Sequence, residues 1–360
     1  MPVTEVEGNL LAADVDALVN TVNTVGVMGK GIALQFKRAF PENYDSYSAA
    51  CSHGEVQLGR MFVSKLDSLS SPYYIINFPT KSHWKSKSRI TSITEGLTDL
   101  VRVIRELNIS SIAVPPLGCG NGGLAWSEVR PIIVDSLSTL SDVDVRLYRP
   151  AGAPDSASMP VRTPRPRMTR IRAAILLAFE RYIVVSMASG LSIEARISLI
   201  EAHKIAYLLQ ESGWPVGMKF ARGHYGPYSE ALNQLISSLE GHFIKGFGDG
   251  SSGSKAVLTL DPQAVREAHD LLDGDRDYWL AIEELQRTIA GYEFPWGLEL
   301  LATVHYTSAH CNAANAGDVV SAVRSWSTRK SEIFDVEHAR AAHAHLARRG
   351  LVASPSPSPS

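Results

Sequence analysis

An α/β domain with a mixed sheet and helices on both faces, followed by a mainly α, winged-helix-like second domain, is the fold this sequence predicts. Three observations predict it. Apolar strands alternate with amphipathic helices as far as residue 148. A stretch rich in proline and arginine then breaks the pattern. The remainder is helical apart from one glycine-tipped hairpin. Alternation of the first kind favours a sheet covered on both faces. The chain has 360 residues, more than one ordinary core organises, and its 45% hydrophobic content suffices for two. The expected boundaries are 1–150 for the first domain, 151–170 for a linker, 171–350 for the second domain and 351–360 for a disordered tail.

In the first domain, DALVNTVN is an apolar strand running into a loop. GKGIALQFKRAF is a helix that offers Ile32, Leu34, Phe36 and Phe40 for packing and ends at Pro41. GRMFVSKL and YYIINF are strands. ITEGLTDLVRVIREL carries Ile93, Leu97, Leu100, Val101, Ile104 and Leu107 at helical spacing. SSIAVPPLG is a buried strand ending in glycine, SEVRPIIVDSL a helix and DVRLYRP a last strand. The stretch before residue 170 combines proline, small residues and arginine without an apolar period, which suits a semi-rigid linker.

In the second domain, IRAAILLAFERYIVVSMA is interrupted by Glu180 and Arg181, so it reads as a buried helix rather than a membrane span. SIEARISLIEAHKIAYLLQESG turns Ile197, Ile200, Ile205 and Leu208 inward and stops at Gly213. MKFARGHYGPYSEALNQLISSLEG gives a short strand, a Gly-Pro turn and a helix for Ser229 to cap. HFIKGFGDGSSGSKAVLTLD forms the two-stranded wing. DVEHARAAHAHLARRGLV is a final helix whose His338, His343 and His345 lack the i, i+4 spacing of a metal pair, so they read as solvated or partner-facing and no metal is expected.

Composition removes several function classes. A formal net charge of −2 argues against coating nucleic acid by bulk charge, though not against a local basic groove. Cys51, Cys119 and Cys311 are far apart and form no CxxC pair, the pattern of a reduced, cytoplasmic protein without a zinc knuckle. MPVTEVEGNL has neither a basic nor an apolar leader region, so no signal peptide and no membrane association are expected.

Two loops at strand ends are unusual. VNTVNTVGVMGKGIA, Val19 to Ala33, carries three glycines and opens a helix, whose N-terminal N–H groups favour phosphate. It is not a Walker A motif, because Lys30 is followed by glycine. PPLGCGNGGLAW, Pro115 to Trp126, again precedes a helix. Two such loops suggest a diphosphate clamped from both sides; tight turns are the plain alternative. A third feature is IINFPTKSHWKSKSR, a core strand that ends in a basic cluster around a tryptophan. A solvated loop is the default reading of such a run.

GNLLAADVDALVNTVNTVGVMGKGIALQFK with GCGNGGL downstream resembles a macrodomain, the ADP-ribose-binding module. NTVNTVGVMGKGIALQFK followed by NFPTKSHWKSKSRI resembles, more narrowly, the antitoxin family of DarT/DarG toxin–antitoxin pairs, and the resemblance extends over the whole chain. It implies a macrodomain that removes ADP-ribose from DNA bases, and a second domain that binds a DarT-type toxin and keeps it inactive. It implies no cofactor. It assigns Asn9 and Leu10 to the adenine, where many macrodomains have an aspartate in place of Asn9; an amide oxygen still accepts from the adenine amino group. It assigns Thr21, Val22 and Asn23 to the distal ribose, and Ile32, Ala33, Leu34 and Gln35 to the helix start beside the diphosphate. Gly118, Cys119, Gly120, Asn121 and Gly122 match the second phosphate loop. Thr80 and Lys81 match the strand end that carries the catalytic lysine of this subclass. Related glycohydrolases pair that lysine with an aspartate where this chain has Gly122, so the lysine here has no such partner.

Two chemistries are open to Lys81. An ammonium donates to, or electrostatically stabilises, a departing base. A neutral amine attacks the anomeric carbon of an opened sugar, which needs a lowered pKa, with His83, Lys85 and Lys87 as candidate like-charge neighbours. The plain alternative is a lysine that only steers phosphate. Lys85, Lys87 and Arg89 suit the phosphates of a single-stranded DNA substrate, and Trp84 suits either base stacking or a core position. Three function classes follow: a glycohydrolase antitoxin acting on ADP-ribosylated thymidine or guanosine and releasing ADP-ribose, a non-catalytic ADP-ribose reader, and a DNA-binding regulator with a metabolite-sensing macrodomain. Lys81 at the strand end favours the first.

Overall fold

The structure, a computed structural model, describes residues 3–311 and 316–353. It divides into two compact units, Met1–Pro164 with Gly248–Ser251, and Arg165–Phe247 with Ser252–Ser360.

The first unit runs β1 (Thr4–Val6), β2 (Ala17–Asn23), α1 (Ile32–Ala39), α2 (Pro41–Ser52), β3 (Phe62–Lys65), β4 (Tyr74–Lys81), α3 (Ile90–Glu106), β5 (Ser111–Val114), α4 (Trp126–Leu137) and β6 (Asp144–Tyr148). Its six strands lie in the order β1-β6-β5-β2-β4-β3, parallel except for the β3–β4 pair. Alternate residues of the central strands go to opposite faces, as a period of two requires. Val19, Ile76, Phe78, Ile112 and Val114 pack with Ile93, Leu97 and Leu100 of α3 and with Val129 and Ile133 of α4. Leu18, Ile75 and Ala113 pack with Phe36 and Ala39 of α1 on the other face. The expected mixed sheet with helices on both faces is the sheet observed.

Pro41 ends α1 and is also the first residue of α2, a helix the sequence pattern conceals. Proline suits that position because its missing N–H has no partner there in any case. Only Asn43, Tyr47 and Ala50 of this polar helix are buried, too few for a visible stripe. Residues 151–164 are folded into this unit, where their composition suggested a semi-rigid linker. Met159 is buried, the Arg162 N–H donates to the Arg38 carbonyl at 2.8 Å, and the Asn9 amide donates to the Ser158 carbonyl at 3.2 Å. Contacts made by single residues leave no periodic trace.

The second unit is mainly helical: α5 (Arg170–Ala188), β7 (Ile197–Ser198), α6 (Leu199–Glu211), β8 (Ala221–Gly223), β9 (Gly226–Tyr228), α7 (Glu230–Leu239), β10 (Ile244–Lys245), β11 (Val257–Leu260), α8 (Pro262–Leu272), α9 (Arg276–Ile289), α10 (Pro295–His310), α11 (Ala316–Arg324), α12 (Thr328–Ile333) and α13 (Val336–Arg348). No helix among the described residues is long and apolar enough to cross a membrane. In the segment expected to form a two-stranded wing, β10 pairs antiparallel with β11, and β7 makes this a three-stranded sheet. Ile197 is buried on β7 rather than on a helix, because Ser198 and Glu201 form a capping box that starts α6 there.

Two local expectations are corrected. Ser229 occupies the N-cap of α7, but its hydroxyl makes no capping bond. His343 is buried, not solvated, and burial lowers its pKa, while the His345 ring meets the Thr288 carbonyl at 2.8 Å. Leu351 and Val352 pack partly against the core of this unit; the SPSPSPS stretch, residues 354–360, lies outside the described residues.

Candidate active site

Because β5, β2 and β4 are parallel neighbours, their C-terminal ends open on one edge of the sheet. β2 lies between β5 and β4; the chain goes from β2 to the β3–β4 side and then crosses from β4 to β5 on the other side, and a crevice at such a reversal is where α/β sheets bind ligands. Three loops meet there: 24–31 after β2, 82–89 after β4 and 115–125 after β5.

Asn23 builds the first loop. Its side-chain oxygen accepts from the Val25 and Val27 N–H groups at 3.0 and 3.3 Å, its amide donates to the Val27 carbonyl at 2.5 Å, and Tyr47 Oη donates to its carbonyl at 2.6 Å. The side chain expected at the distal ribose is thus engaged in shaping the loop. Thr21 is half-buried and Val22 buried. The loop ends at Gly31, at φ 65, where a side chain would meet Asn121 Nδ2 at 3.0 Å. Glycine there lets the first and third loops approach each other. Ile32 and Ala33 remain half-buried at the start of α1, whereas Leu34 and Gln35 are buried. The Gln35 amide donates to Asp249 Oδ2 at 2.7 Å. Leu10 is buried too, and the Asn9 side-chain oxygen accepts from the Leu11 N–H at 3.0 Å while retaining a second lone pair.

The register between β2 and β4 slips at this edge. Val22 faces Pro79, but Asn23 faces Lys81, so Thr80 is an extra residue on β4. A bulge of this kind re-aims the side chains that follow it. Thr80 is buried, its hydroxyl 3.3 Å from the Val22 carbonyl. Lys81 Nζ donates to the Trp84 carbonyl and the Asn121 carbonyl, both at 3.1 Å. The lysine therefore bridges the second and third loops. Burial pushes its pKa below the ordinary 10.5. The like-charge neighbours expected to do this do not: desolvation is the cause.

In the third loop Gly118 and Gly122 are buried, Cys119 is half-buried, and Gly120 and Asn121 are exposed. The Cys119 thiol is pushed up to about 11 by burial, so it stays protonated and is no nucleophile at neutral pH. Gly122 has no room for a side chain: a Cβ would lie 2.4 Å from both the Gly118 carbonyl oxygen and Ser88 Oγ. Its own carbonyl accepts from the Ser88 N–H at 2.9 Å. Adjacent carbonyls of this loop, those of Asn121 and Gly122, are thus held by the last residue of β4 and by the segment that follows it.

Sequence reasoning passed over two groups. Ser88 leaves no local signal. Asn20 and Asn77 face each other in register and continue to Asn43 as a buried amide chain of 3.0 and 2.7 Å. Asparagine inside two apolar strands is the signal that could have found it, since buried amides need partners.

The Macro domain family matches residues 19–133. A DNA ADP-ribosyl glycohydrolase of Thermus aquaticus is 46% identical over 96% of this chain and 93% of its own length. The chain belongs to the DNA ADP-ribosyl glycohydrolase family, the DarG proteins. As a member it is a hydrolase of N-glycosyl bonds. A solved structure, the macrodomain of Mycobacterium tuberculosis DarG, is 57% identical and covers 41% of this chain and 98% of its own, with a TM-score of 0.41. A DNA ADP-ribosyl transferase–DNA ADP-ribosyl glycohydrolase fusion protein of Thermosipho africanus is 38% identical over 40% of this chain and 41% of its own length.

Proposed function

We propose that this DarG-family protein hydrolyses the bond between the ribose anomeric carbon of ADP-ribose and a base nitrogen of single-stranded DNA, thymidine before guanosine. We propose also that its second unit binds and neutralises a DarT-type DNA ADP-ribosyltransferase. The observation that carries the first part is Lys81 Nζ, partly buried and held by the Trp84 and Asn121 carbonyls where three strand-end loops meet. Two carbonyl acceptors use two of the three ammonium N–H groups and leave one for the substrate. Water adds to the anomeric carbon and gives up a proton to solvent, while the base leaves with the bonding electron pair and takes a proton from the Lys81 ammonium. An imide such as thymine N3 carries that charge well, so a lysine ammonium suffices as the donor and the missing aspartate at position 122 is no obstacle. Incubation with single-stranded oligonucleotides bearing ADP-ribose on thymine or on guanine tests the reading. Release of free ADP-ribose from thymine is expected to be the faster; release from neither overturns it.

The partner reading rests on the fusion of a transferase with a glycohydrolase in one relative, and on an acidic surface of the second unit. Asp270, Asp273, Asp277 and Glu283 are exposed on and between α8 and α9, beside exposed Leu271, Trp279 and Leu280. A toxin that handles DNA needs a basic groove, which such a surface complements. Asp275 is not available for this, because it caps α9 through the Tyr278 N–H and pairs with Arg170. Lysine at positions 270, 273 and 277 together is therefore expected to weaken toxin binding at least about tenfold, with ADP-ribose release retained. Inhibition of the toxin at the parent's potency would place the interface elsewhere.

A further inference from the structure

Trp84 is the one residue of the segment after β4 whose burial the sequence left open, and it is 48% exposed. Its neighbours Ser82, His83, Lys85 and Lys87 are exposed as well, so the indole contributes little to any core. It is nevertheless ordered by its surroundings. The His83 ring stacks on it at 5.4 Å and 29°, and Lys85 Nζ lies over the ring at 4.8 Å. Its carbonyl accepts from Lys81 Nζ at 3.1 Å, which puts the ring on a residue in direct contact with Lys81.

We infer that His83, Trp84 and Lys85 form a stacking platform for the nucleobase next to the ADP-ribosylated nucleotide, so that this protein selects a modified base within a single strand over the same base in a free nucleoside. The inference rests on the proposed reaction. Lys81 marks the anomeric carbon and therefore the modified base; the next nucleotide along the strand is the group that reaches the adjoining residue. Indole and imidazole present π-faces that accept any base, and Lys85 adds attraction for the backbone phosphate. In duplex DNA the neighbouring base is already stacked between its own neighbours, so the platform requires a single strand.

The test compares kcat/KM for two substrates: a single-stranded oligonucleotide carrying one ADP-ribosylated thymidine, and the ADP-ribosylated thymidine nucleoside alone. Trp84→Ala is expected to lower the ratio of oligonucleotide to nucleoside about tenfold, and Trp84→Phe, which keeps a π-face, to retain most of it. A ratio equal to the parent's overturns the inference. So does an equal loss on both substrates, which would mean that residue 84 acts only through its carbonyl and Lys81. If the parent releases ADP-ribose from neither substrate, the proposed reaction fails, and the same ratio taken on dissociation constants still decides the platform.

Discussion

Lys81→Ala is expected to lower the rate of ADP-ribose release from DNA by about 100-fold or more, the usual scale for loss of a positioned acid or electrostatic group, while free ADP-ribose still binds. The side chain spans two loops through the Trp84 and Asn121 carbonyls, and the Ser88–Gly122 backbone bond keeps the same loops together without it. Loss of turnover should therefore exceed loss of binding. Calorimetry with ADP-ribose and a release assay separate the two, and turnover at the parent rate would remove Lys81 from the mechanism. The pH profile tells which chemistry operates. Burial lowers the Lys81 pKa, so the turning point lies below 10.5. An ammonium that donates gives activity that holds at lower pH and falls as pH rises through that point. An amine that attacks gives activity that rises with pH up to it. Borohydride added during turnover should trap an adduct only in the second case.

Gly122→Asp, which writes in the carboxylate that related glycohydrolases pair with the lysine, is expected to abolish ADP-ribose binding rather than assist catalysis. The new Cβ alone would sit 2.4 Å from the Gly118 carbonyl oxygen, a backbone atom that cannot rotate away. Relief requires the third loop to move, which breaks the Ser88–Gly122 and Lys81–Asn121 bonds together. Overpacking of this kind costs about 1–3 kcal/mol in stability, and a displaced third loop would no longer present the arrangement proposed to hold ADP-ribose. Gly122→Ala isolates the steric part. If Gly122→Ala binds ADP-ribose as the parent does, the packing argument fails; if it loses binding as Gly122→Asp does, the missing aspartate reflects space and not chemistry.

Part of the site could be read from the chain. The order of strands and helices in the first unit follows from apolar period, and the glycine loops announce themselves by composition. Thr80 and Lys81 stand at the end of β4 as the change from apolar to basic residues suggests. The rest was hidden for definite reasons. Helix α2 has too few buried residues to show a stripe, and Pro41 reads equally as a stop and as a first residue. Gln35 and Asn23 are polar residues beside a glycine-rich loop, yet Gln35 is bonded to Asp249 and Asn23 to its own loop, partners that no spacing rule names.

The sequence by itself determined the mixed sheet, the division into an α/β half and a helical half, and the placing of Lys81 between two glycine-rich loops, because periodicity and glycine content are local properties of a chain. The tertiary structure alone decided how Lys81 is held. The bulge at Thr80 depends on register with β2, the two carbonyls on Nζ come from separate loops, and the lack of room at Gly122 comes from Gly118 and Ser88. Each of these is a contact between segments distant along the chain, and short-range pattern carries no record of which distant segments meet.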